Sequence, residues 1–141
     1  RLDELQAVVL RIRLRSLDEE NRRRRKIARF YSEAFSFMEE VLPPPDSEER
    51  LSVYHRYVIR AKDRDRLISF LAEKGVGTGI HYPQPLHLQE AWERERFERY
   101  HLPISERVSS QILSLPIYPE LTDGEAEYVA EKVKEFYRGG P

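Results

Sequence analysis

The sharpest restriction on the fold comes from residues 17–38, whose two halves carry opposite chemistry. Ile27, Phe30, Tyr31, Ala34, Phe35 and Met38 recur at three- and four-residue steps, which gives a helix one apolar face. The half before them is almost wholly charged, with Asp18, Glu19 and Glu20 followed by Arg22-Arg23-Arg24-Arg25-Lys26. A long helix that is polar at one end and buried at the other reads as a connector between two packed bodies. Ser16-Leu17-Asp18-Glu19 has the form of a capping box that opens this helix, and Pro43-Pro44-Pro45 is expected to stop it. Upstream, Leu2, Leu5, Val9 and Ile12, widened by Leu10, Leu14 and Leu17, predict a helix over 2–15 with a broad buried face.

The remainder alternates. LSVYHRYVIR over 51–60 is rich in β-branched and aromatic residues and reads as a strand. Asp63 is placed to cap a helix over 64–74, and Gly75 to end it. Residues 76–82 read as a short strand that runs into the loop Pro83-Gln84-Pro85. Residues 88–99 read as a polar helix, 104–111 as a further helical turn or two, and 112–115 as a short strand. Thr122-Asp123-Gly124-Glu125 forms a second capping box, before a helix whose inner face is Ala126, Val129, Ala130, Val133, Phe136 and Tyr137. The predicted class is α/β, a small sheet flanked by helices.

Composition narrows the function. A chain of 141 residues with 24 basic and 25 acidic side chains is no bulk polyanion binder. Without cysteine there is no disulfide framework, thiolate metal site or cysteine nucleophile. No apolar run reaches the roughly 18 residues of a membrane span, and no signal peptide opens the sequence, so a cytoplasmic location is expected. The chain starts at Arg1 with an apolar periodicity already running, and is expected to be a piece of something longer.

The basic run reads as a solvated or interface helix face rather than a nucleic-acid site, because Asp18, Glu19 and Glu20 stand four residues before Arg22, Arg23 and Arg24. Of the four histidines, His81 and His87 flank a loop containing Tyr82 and Gln84. A zinc site would need a third ligand at tighter spacing, and none is visible. Hydrogen-bonding groups on a ligand-facing loop are the better reading. His55 falls inside a strand pattern and His101 in a loop. Gly77-Thr78-Gly79 lacks the third glycine of a phosphate-binding fingerprint and reads as a close backbone approach or a bulge in a strand.

Four stretches carry a more specific signal: RLDELQA at 1–7, VYHRYVIR at 53–60, GIHYPQPLHLQ at 79–89 and LSLPIYPELTDGEAEYVAEKV at 113–133. In this order and spacing they resemble the C-terminal third of the DegT/StrS family, pyridoxal-phosphate-dependent aminotransferases that act on nucleotide-linked keto-sugars. The resemblance implies a fold type I (aspartate-aminotransferase-like) parent, with residues 1–38 as the end of a large-domain helix and a connector, and 39–141 as a small α/β domain. It implies that Arg1 reaches the cofactor phosphate of a neighbouring subunit in a homodimer, and that Tyr82, His87 and His81 help to hold the substrate. Glutamate is the expected amino donor. The Schiff-base lysine would lie upstream, so the 141 residues alone are expected to be inert. A sugar dehydratase of the same fold and a free-standing regulatory or binding module are the alternatives.

Overall fold

The computed structural model describes residues 3–45, 47, 49–90 and 100–139. In chain order these form α1 (Glu4–Arg13), α2 (Leu17–Phe35), β1 (Val41–Leu42), β2 (Tyr57–Ala61), α3 (Arg64–Glu73), a 3₁₀ turn (Leu86–Leu88), α4 (Pro103–Ser109), β3 (Ile112–Leu115) and α5 (Asp123–Arg138). The three strands make an antiparallel sheet in the order β1-β2-β3.

β2 shows why the sheet has one dry face. Side chains alternate across a strand, so Tyr57, Ile59 and Ala61 point to one side and are buried, while Val58 and Arg60 point to the other and are only half-buried. Tyr57 pairs with Leu115 and Ile59 with Leu113, which adds two leucines to the same side. There they join Ile27, Ala28, Tyr31 and Phe35 of α2, Leu67 and Leu71 of α3, and Ala126, Val129, Ala130 and Val133 of α5 in one core. α5 packs against both α2 and α3.

The second capping box forms as read. Thr122 Oγ1 accepts from the Glu125 amide at 3.2 Å, and the Glu125 carboxylate accepts from the Thr122 amide at 2.8 Å. The first does not. Ser16 keeps right-handed helical angles (φ −102°, ψ −6°), because α1 and α2 are joined by a tight turn that bonds Arg15 N to Ile12 O and Ser16 N to Arg13 O. From that conformation the hydroxyl cannot sit over the first amides of α2. It lies 2.7 Å from Glu20 Oε1 and 3.1 Å from the Arg13 carbonyl oxygen instead.

Other boundaries move for similar local reasons. α2 ends at Phe35, well before the prolines, where Ser36 bonds back to the Glu33 carbonyl through both its amide and its hydroxyl. Val41 is then free to pair with Ala61. β2 starts at Tyr57 rather than 51, since Tyr54 takes a left-handed conformation (φ 47°) with its amide on Ser52 Oγ, 3.2 Å away. His55 therefore lies exposed just before the strand. α3 begins where expected, but Asp63 is left-handed (φ 50°) and makes no side-chain cap. The strand expected over 76–82 reduces to one antiparallel bridge, Gly79 with Ser114. Of the polar helix expected over 88–99, residues 91–99 lie outside the described residues, and Leu88 closes the 3₁₀ turn.

The predicted broad face of α1 is present but uncovered: the helix contains no buried residue, and Leu5, Val8, Val9, Leu10, Ile12 and Leu14 are all exposed. No helix among the described residues is long and apolar enough to cross a membrane.

Candidate substrate-facing loop

The loop from Ile80 to Gln89 leaves the edge of the sheet and is held at both ends. At its start the Gly79 and Ser114 backbones exchange hydrogen bonds of 3.2 and 2.7 Å, which extends the sheet beyond β3 by one residue. His81 then folds back, so that its Nδ1 lies 2.9 Å from Ser114 Oγ. This explains why Ser114 is buried on the face where Val58 and Arg60 are half-open. It also explains Gly79: a Cβ there would stand 2.8 Å from His81 Cε1, closer than packed atoms allow. The close backbone approach expected around Gly77-Thr78-Gly79 is found at this glycine.

Tyr82 meets the His81 ring edge-on, with 6.1 Å between centroids, and remains 71% exposed. Gln84 Nε2 donates to the Leu88 carbonyl and tightens the turn beneath it. At the far end His87 is only 8% exposed and places Nε2 3.1 Å from Glu106 Oε1 on α4. The same oxygen accepts from the Leu102 amide at 3.0 Å, and His101 Nδ1 stands 3.6 Å from it. The His87 hydrogen bond first, and the Leu102 amide second, hold the Glu106 carboxyl below the usual carboxylate range. His87 also borders an apolar cavity of about 550 Å³, together with Leu86, Tyr100, Leu102, Val108 and Ile112.

The three loop residues singled out from the sequence therefore share one loop but not one environment: Tyr82 is open, His81 is tied to the sheet, and His87 is buried against α4. Arg1 lies outside the described residues. Glu106 was not foreseen. The signal available for it was a carboxylate four residues after Leu102 at the start of a helix opened by Pro103, which marks a helix terminus without naming His87 as the other partner. Among the described residues no group of three histidine, aspartate or glutamate side chains could hold a metal.

The basic run finds partners other than those its spacing indicates. Arg22 pairs with Glu19, three residues back. Arg23 Nη1 and Lys26 Nζ reach across to the Asp123 carboxylate of α5 at 2.5 and 2.8 Å, and Arg23 also donates to the Leu121 carbonyl. Lys26 and then Arg23 pull the Asp123 carboxyl down to about 2. The run thus locks α2 to the start of α5.

Comparison with known proteins places this geometry. The chain is 42% identical to the dTDP-3-amino-3,6-dideoxy-alpha-D-galactopyranose transaminase of Aneurinibacillus thermoaerophilus, over 96% of its own length and 37% of that protein. It is 41% identical to a pleiotropic regulatory protein of Geobacillus stearothermophilus, over 98% of its length and 38% of that protein. It thus spans well under half of these relatives. The structure of Streptomyces venezuelae DesV in complex with a ketimine intermediate superposes with a TM-score of 0.91, at 39% identity, over 96% of this chain and 37% of that one. A DegT DnrJ EryC1 StrS aminotransferase from Brucella abortus superposes at 0.88 with 35% identity, again over 96% of this chain but 36% of that one. The family model for DegT/DnrJ/EryC1/StrS aminotransferases matches residues 1–134, and the chain is a member of that family.

Proposed function

We propose that these residues serve as the C-terminal third of a pyridoxal-phosphate-dependent aminotransferase acting on a nucleotide-linked keto-sugar, with glutamate as amino donor and a homodimer as the working unit. The observation that carries the reading is the superposition, at a TM-score of 0.91 and 39% identity, of nearly the whole chain on Streptomyces venezuelae DesV in complex with a ketimine intermediate, together with the match to the aminotransferase family model. In this reading residues 1–38 close the large domain and connect it to a small domain at 39–141, and Arg1 contacts the cofactor phosphate, for which a planar fork of donors is suited.

The described residues do not by themselves make a pyridoxal-phosphate site. Lys26 is engaged with Asp123, and Lys74 and Lys132 with Glu135. Lys62 is exposed on the turn before α3 and Lys134 half-buried on α5, and none of the five lines the cavity beside His87. The cofactor, when bound to the longer parent, supplies the electron sink for the amino-group exchange. This chain's contribution is to shape the substrate entrance. Tyr82 offers an exposed ring and hydroxyl, His81 stiffens the loop through Ser114, and His87 presents an imidazole at the margin of an apolar cavity.

Intact-mass measurement after borohydride reduction with pyridoxal phosphate tests the reading. The full-length parent should gain a single pyridoxyl group and aminate a nucleotide-linked keto-sugar, and the 141-residue chain alone should do neither. A parent that takes no adduct but consumes the sugar would point to the dehydratase. One that neither takes the adduct nor turns over sugar would point to a regulatory module.

A further inference from the structure

Glu106 meets the candidate loop at its buried end, and its bonding there fixes more than the position of His87. An ionised carboxylate only accepts hydrogen bonds, so the 3.1 Å contact requires His87 Nε2 to carry the proton. In a neutral imidazole the other nitrogen, Nδ1, is then an acceptor. The carboxylate is itself held still: Oε1 also takes the Leu102 amide at 3.0 Å, which anchors it to the first turn of α4. Its depressed titration keeps it charged at neutral pH. Among the described residues, the titratable groups around the pair are His101, with Nδ1 3.6 Å from Oε1, and Tyr100, which borders the same cavity. His101 is largely exposed and lies beyond hydrogen-bond distance of Oε1.

We propose that Glu106 is a positioning residue for substrate recognition: through the hydrogen bond to Nε2 it holds the His87 ring in one orientation and one tautomer, so that Nδ1 accepts from a hydroxyl of the sugar substrate. This rests on the substrate-facing reading of the loop. A second-tier carboxylate of this kind is effective because it removes the choice between two imidazole tautomers before the ligand arrives.

The test uses the full-length parent and the variants Glu106→Gln, Glu106→Asp, His87→Ala and the double variant Glu106→Gln/His87→Ala. In the parent one oxygen takes both donors; a Gln either does the same without the charge, or gives its oxygen to the Leu102 amide and turns its NH₂ towards His87, so the tautomer is no longer fixed. Long-range ¹H–¹⁵N spectra should show neutral His87 as the Nε2–H form in the parent and in Glu106→Asp, and as a mixture in Glu106→Gln. The sugar KM of Glu106→Gln should rise about tenfold with kcat and cofactor content little changed, and the double variant should be no worse than His87→Ala. A parent whose His87 carries its proton on Nδ1 overturns the proposal without any variant, so a poorly folding Glu106→Gln does not protect it. Wild-type KM and tautomer in Glu106→Gln, beside a raised KM in His87→Ala, would leave Glu106 a purely structural residue. Wild-type KM in His87→Ala would remove both residues from recognition, while the pyridoxyl adduct separately decides whether the parent is an aminotransferase at all.

Discussion

Among the described carboxylates, Asp123 is the one whose charge is most strongly tied to the tertiary structure. Its carboxylate sits in the first turn of α5, where the helix dipole already favours a negative charge, and two cations from α2 close on it. Its carboxyl is lowered from 3.8 to about 2. A depressed carboxylate contributes stability that is fully present above its unfolded value and disappears as pH falls through the folded one. The contribution should therefore fade between about pH 4 and pH 2. Asp123→Asn should lower the melting temperature at pH 7, and the gap to the parent should close by pH 2 in a series of thermal melts. The effect should also shrink in high salt, because the carboxylate is solvent-facing. At this scale the sequence was legible in part. The surplus of cations over nearby acids between 22 and 26 was plain, but Arg23 and Lys26 find their partner about a hundred residues away, and helix spacing carries no information about that.

At the scale of elements, two sequences with the same capping-box pattern behave differently. Thr122 sits in an extended conformation (φ −71°, ψ 161°), which lets its oxygen reach the Glu125 amide. Ser16 comes at the end of the tight turn after α1 and stays in the helical region. Thr122→Ala should cost about 1 kcal/mol, whereas Ser16→Ala should leave denaturant midpoints within about 0.5 kcal/mol of the parent; equal losses would show that the Ser16 hydroxyl caps α2 after all. The pattern is a local signal, and its realisation depends on the direction from which the chain enters. The same holds for residues 51–56 and 76–82, whose compositions favour a strand. Only Gly79 finds a partner on the far side of β3, and Tyr54 turns the backbone away before Tyr57.

For the whole molecule, the informative contrast is between α1 and the C-terminal half of α2. Both carry an apolar stripe at helical spacing. Tyr31 and Phe35 are fully buried against the sheet and α5, while the Leu5, Val9 and Ile12 face of α1 stays exposed in the described chain. An apolar strip of that length binds apolar dyes and promotes self-association. The isolated chain should show both, and Leu5→Ser/Val9→Ser/Ile12→Ser should abolish them with no loss of the cooperative unfolding set by the core. Leu113→Ala in that core should by contrast cost about 2–5 kcal/mol, since the side chain is fully enclosed.

The sequence by itself determined the helices of the core, the inward faces of α2, α3 and α5, the residues of β2 and β3 as strands, and the family. Those features depend on periodicity and on motifs a few residues long, which neighbouring positions encode directly. The tertiary structure decided what the motifs touch: that Arg23 and Lys26 bridge to Asp123, that His81 leans on Ser114 across a glycine, and that His87 is keyed to Glu106. Each of these joins residues 19 to 100 positions apart. Such pairings exist only once the sheet and helices have packed, because it is packing that brings a donor and an acceptor from distant parts of the chain within hydrogen-bonding distance.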